Sequence, residues 1–174
     1  MSTSRRQFSR MGGLSRNLLT ALAAFVALTM SVAGVASTFT ARSLRSWYPS
    51  LRKPRWNPPA SFFGTLCTFL YFFMTIAAWN VWRLGDGWSR ASLAITVFLI
   101  QLALNAACFV ILFGLRSTGL ALVAIVALWA AILANLILFW RISTFSGALL
   151  LPSLAWVTCA LYLNAGIWRL NSAR

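Results

Sequence analysis

Five runs of apolar residues, each about as long as a bilayer is thick, constrain this chain more than any other feature. A helix needs about 20 mostly apolar residues to cross the hydrocarbon core. The runs cover about residues 17–39, 62–82, 91–113, 119–140 and 147–168. Charge falls in the gaps: Arg83, Asp86 and Arg90, then Arg116, then Arg141. The last three connections are short, so consecutive helices are expected to be antiparallel neighbours. The expected fold is an all-α membrane protein, a five-transmembrane-helix bundle. A basic N-terminal arm (residues 1–16) precedes a single transmembrane domain (residues 17–171), with a long loop at residues 40–61.

The charged residues exclude whole classes of chemistry. Asp86 is the one acidic residue, and histidine is absent. Paired carboxylates, a Ser-His-Asp triad and a histidine-built zinc site are therefore excluded. No catalytic residue, metal ligand or obligatory cofactor is expected. Cys67, Cys108 and Cys159 lie far apart inside apolar runs and read as small buried groups. The net charge of +14 sits between the hydrophobic runs, which suits anionic lipid headgroups and not nucleic acid. Basic residues divide almost evenly between the two sides, so they give no orientation. Ser4-Arg5-Arg6-Gln7-Phe8 resembles a twin-arginine export signal. The apolar run after it is longer than the core of a cleaved signal, and reads as a first span.

The first connection is unlike the others. Pro49, Pro54, Pro58 and Pro59 rule out a helix there, while Trp47, Tyr48 and Trp56 are costly to leave in water. A rigid, aromatic, basic loop suits a lid over a cavity. An anchor at the membrane interface accounts for the same residues. Inside the spans, Asn80, Gln101, Asn105, Asn135 and Asn164 are expensive in lipid. They either line a cavity or bond neighbouring helices. Gln101 and Asn105 are four apart and share a face. Pro152 is expected to kink the fifth span near its start. Trp156, Ala160 and Asn164 then follow along one face, a surface suited to a flat apolar ligand with a polar edge.

At these residues the sequence resembles the TspO/MBR family of tryptophan-rich sensory proteins and translocator proteins. The matching pieces are Trp47-Tyr48-x-x-Leu51-x-Lys53-Pro54-x-Trp56-x-Pro58-Pro59, then Phe63-Gly64, Leu70-Tyr71-x-x-Met74 and Val81-Trp82. Gln101-Leu102-x-Leu104-Asn105 and Phe113-Gly114 follow. The fifth span adds Leu149-Leu150-x-Pro152-x-Leu154-Ala155-Trp156 and Leu163-Asn164-x-x-Ile167-Trp168-x-Leu170-Asn171. The resemblance implies a receptor or translocator that binds tetrapyrroles such as protoporphyrin IX and haem, and in some members sterols and benzodiazepine-type drugs. Tetrapyrrole trafficking or stress sensing is the function it implies. Light-dependent porphyrin degradation, or a scaffold with incidental ligand binding, is the alternative.

Carried over by motif, Trp56, Pro58 and Pro59 close the pocket, and Phe63, Tyr71, Asn105, Trp156, Ala160, Leu163 and Asn164 line it. The family is often dimeric; Ala103 and Ala107 form a small-xxx-small pair for a homodimer contact. The chain also departs from the family. Cys67 stands where the family often has a tryptophan used in porphyrin degradation. Ala106, Cys108, Leu151 and Ser153 replace aromatic residues, which implies a roomier, less aromatic pocket. Ala165 replaces the tyrosine of the animal cholesterol motif, so tetrapyrroles rank above sterols. A bacterial cytoplasmic membrane is favoured, with an organellar membrane as the alternative.

Overall fold

In lipid every backbone polar group must be satisfied within the chain, so an apolar segment crosses as a helix. The computed structural model describes residues 2–54, 60–85 and 87–171, and these are helical almost throughout. The helices are α1 (Ser2–Ser46), α2 (Ala60–Leu84), α3 (Trp88–Phe109), α4 (Thr118–Ile142), α5 (Thr144–Ala148) and α6 (Leu151–Asn171). Five stretches are long and apolar enough to cross a membrane: Leu18–Ser43, Phe63–Leu84, Arg90–Gly114, Thr118–Ile142 and Thr144–Asn171. No strand occurs among the described residues.

Helix α1 continues past the expected end near residue 39 to Ser46. Nothing in residues 40–46 breaks a helix, and Pro49 then stops it. Hydroxyls along this helix donate to carbonyls one turn back: Ser31 to Ala27, Ser37 to Gly34, Thr38 to Val35 and Ser46 to Arg42. Polar side chains are thereby tolerated on a surface that faces lipid.

The turn from α2 to α3 depends on two glycines. A Cβ on Gly85 would lie 2.7 Å from that of Ala91, and Gly87 has φ +68°, which only glycine adopts freely. Helix α3 ends in a π-helical turn, Val110–Gly114, which sequence periodicity did not announce. The fifth span is broken rather than kinked. Ser143 caps α5, its Oγ accepting from the Ser146 amide at 3.3 Å. Leu149 and Leu150 form a turn, and α6 starts at Leu151. Pro152 sits in the first turn of α6, where its missing N–H costs nothing; its ring excludes the helical carbonyl that a continuous helix would need.

Helix α1 packs on α2 and α3, α3 on α4, and α4 on α6. The short α5 bridges α2 and α4. The largest core cluster, with Phe98, Phe139, Ile95, Val81 and Leu150, fills the end of the bundle near the α2–α3 turn. At the other end α6 stands off α2, and the space between them is not filled.

Candidate functional site

That space is a cavity of about 120 Å³. Helix α2 contributes Phe63, Cys67, Leu70, Tyr71 and Met74. The end of α3 contributes Asn105, Cys108, Phe109 and Phe113. Helix α4 supplies Ile125, Leu128 and Ile132, and α6 supplies Ser153, Trp156, Val157, Ala160, Leu163, Asn164 and Ile167. A second cavity of about 510 Å³ lies between α1 and α2. It shares Tyr48, Phe63, Cys67, Tyr71, Phe109 and Phe113 with the first.

The structure brings most of the expected residues together. Phe63 meets Trp156 edge to face, with ring centroids 5.3 Å apart at 72°, the arrangement that aromatic quadrupoles favour. Tyr71 is almost fully buried, and its hydroxyl donates to Asn105 Oδ1 at 2.6 Å. Ala160, Leu163 and Asn164 line the same wall. Asn164 Nδ2 donates to the Thr118 carbonyl at 3.0 Å, while its Oδ1 is buried without a partner, as is Ser153 Oγ. The cavity is thus an apolar slot with a few convergent polar atoms, the usual make-up of a small-molecule site.

The other amides bond neighbouring helices. Asn135 Nδ2 donates to Gln101 Oε1 at 3.0 Å, and Gln101 Nε2 reaches Met74 Sδ at 3.2 Å. Asn80 donates to Ser143 and Ser146 and accepts from Arg83. Gln101 and Asn105 do share a face, but only Asn105 reaches the cavity.

Trp56, Pro58 and Pro59 lie outside the described residues. The part of the first loop that is described packs over the cavity. Tyr48 is buried against Leu163 and Ile167, with Phe113 at 5.9 Å. Lys53 Nζ lies 4.6 Å above the Tyr48 ring, a cation–π contact. Pro54 presses on Gly166, where an added Cβ would come within 2.9 Å of its Cγ. The Asn171 side chain grips the Arg52 backbone from both sides: its Nδ2 donates to the carbonyl at 3.0 Å, and its Oδ1 accepts the amide at 3.2 Å. Of these loop residues, Tyr48 forms part of the cavity wall.

The α4 residues Ile125, Leu128 and Ile132 were not singled out from the sequence. They are ordinary apolar residues on a helix that is apolar nearly all round, so no local signal marked them. Ala103 is exposed on α3 and Ala107 is half-buried.

Five apolar spans around an apolar slot define a multi-pass integral membrane protein. The comparisons agree. Residues 23–169 match the TspO/MBR family. The tryptophan-rich protein TspO of Chlorobaculum tepidum is 38% identical over 160 residues, covering 91% of this chain and 99% of that protein. Protein CrtK of Rhodobacter capsulatus is 36% identical over 126 residues, covering 72% of this chain and 79% of its own. The human translocator protein is 36% identical over 126 residues, covering 72% and 75%. The chain belongs to the TspO/MBR family.

Proposed function

We propose that this protein binds a tetrapyrrole, protoporphyrin IX or haem, between its helices and acts in tetrapyrrole trafficking or stress sensing. The observation that carries this reading is the Phe63–Trp156 pair standing beside unpartnered Ser153 Oγ and Asn164 Oδ1. Aromatic faces stack on a flat macrocycle, and the Ser153 hydroxyl can donate to a carboxylate that such a ligand carries. Lys53, held over Tyr48 at the roof, is placed to meet the carboxylates of such a ligand. Sterols offer neither a π face nor carboxylates and rank second. Ligand pockets commonly measure about 300–1,000 Å³, so the inner cavity must widen to take a macrocycle. The neighbouring cavity supplies the room. Ala103, exposed on α3, is the proposed centre of a homodimer contact.

The test is a titration of the detergent-solubilised protein with protoporphyrin IX in the dark, following tryptophan fluorescence, alongside Trp156→Phe. Saturable quenching at about one ligand per chain is expected. Losing an aromatic edge contact of about 0.5–1.5 kcal/mol should weaken binding roughly 2- to 12-fold in the variant. Absence of saturable quenching in the unmodified protein would sink the tetrapyrrole reading.

A further inference from the structure

The second cavity has no place in the function proposed so far except as spare room. Its outer rim is made of Ser37 on α1 and Gly64, Thr65 and Thr68 on α2, all exposed and all inside membrane-spanning stretches. The cavity therefore opens on the flank of the bundle, between two membrane-spanning stretches. Two of the three rim hydroxyls are already satisfied, Ser37 by the Gly34 carbonyl at 2.8 Å and Thr68 by that of Gly64 at 2.9 Å. An apolar molecule can pass these two without stripping away a hydrogen bond.

The inner wall of this cavity is also the wall of the first. Tyr48, Phe63, Cys67, Tyr71, Phe109 and Phe113 border both spaces. Tyr71 is the pinned member, through Asn105. Phe109 and Phe113, stacked at 6.1 Å, lie where α3 loses its α-helical register in the π turn. Such turns are frequent at functional sites.

We propose that the cavity between α1 and α2 is a lateral antechamber, through which an apolar ligand passes from the bilayer into the inner cavity, with Phe63, Tyr71 and Phe109 as the gate. The route rests on the preceding reading only for the identity of the ligand. Cys67 faces both spaces and reports on the passage without any tetrapyrrole.

The experiment removes the other thiols with Cys108→Ala and Cys159→Ala. The protein is reconstituted in phosphatidylcholine–phosphatidylglycerol vesicles, and Cys67 is labelled with a lipid-soluble pyrene maleimide. Gly64→Phe plugs the antechamber from α2, where a side chain meets open space. Ser37→Phe plugs it from α1. Labelling should slow by at least about tenfold in both plugs, as access through a closed passage requires, while their melting temperatures match the parent. Protoporphyrin IX should then associate about tenfold more slowly in both plugs. Unchanged labelling in a plug that melts like its parent overturns the antechamber. Slowed labelling in a protein that never binds protoporphyrin IX keeps the antechamber and discards the tetrapyrrole.

Discussion

A side chain in lipid has no water to fall back on, so each polar residue here is worth tracing to its partner. Asn171 makes the most complete set. Besides gripping Arg52, its Nδ2 donates to the Ile167 carbonyl at 2.7 Å, so one amide ties the loop to the last turn of α6. Asn171→Ala removes both links to the loop while leaving the apolar packing of Tyr48. At about 1 kcal/mol per lost bond, backbone amides of residues 48–54 should exchange roughly ten- to thirtyfold faster, with little change in α2–α4. Equal exchange in the two proteins would mean that Tyr48 and Pro54 hold the loop unaided. Tyr71→Phe is a second case. It leaves the Asn105 carbonyl oxygen without its donor, and should lower stability by about 1–3 kcal/mol in a thermal melt. The effect should shrink when a bound ligand offers a donor to the same oxygen. Asn105, Trp156 and Asn164 were legible in the sequence because an amide or an indole inside a span is conspicuous. Ile125, Leu128 and Ile132 were not, since nothing separates a cavity-lining aliphatic residue from a lipid-facing one.

At the level of elements, the spans were legible because hydrocarbon thickness sets their length. Their ends were less so. Helix α1 runs on because no residue before Pro49 breaks it, a possibility that hydropathy does not register. The break between α5 and α6 was half visible: Pro152 marked the place, but the turn itself needs Gly147 against α4. A Cβ on Gly147 would lie 2.5 Å from Trp140 Cε3 and 2.9 Å from its Cα. The second of these contacts is with backbone, which cannot swing aside. Gly147→Ala should therefore destabilise the bundle by about 1–3 kcal/mol, the range for overpacking a filled site. Gly64→Ala, which meets open space and favours the helix, should be neutral or stabilising. Thermal melts of the two variants in one detergent check the contrast. The π turn gave no sequence signal, because its residues read as an ordinary apolar continuation of α3.

For the whole molecule, the question is what holds five helices together when lipid is as apolar as their side chains. Interhelical packing and a few hydrogen bonds must suffice. Helices α3, α4 and α6 share broad seams, whereas α1 is the most lipid-exposed span. Phe25 anchors it between Trp82 and Phe98 at ring distances of 6.1 and 6.0 Å. Two polar pins add to this: Trp79 Nε1 donates to the Leu18 carbonyl at 3.1 Å, and Thr29 and Thr75 hydroxyls meet at 2.9 Å. The threonine pin is weak by construction. Each hydroxyl carries one proton and also has a carbonyl in its own helix within reach, Phe25 for Thr29 and Tyr71 for Thr75. Either can lose the other without being left unsatisfied. Thr29→Val should then cost only about 0.6 kcal/mol, the average for such bonds in a membrane. That energy corresponds to about a threefold shift in how often α1 and α2 part. If the gap between these helices is the way in from the bilayer, Thr29→Val should speed Cys67 labelling about threefold. It should barely move the melting temperature. The same variant should leave protoporphyrin affinity alone while raising both association and dissociation rates. A loss of affinity instead would mean that α1 forms part of the resting site and not merely its door.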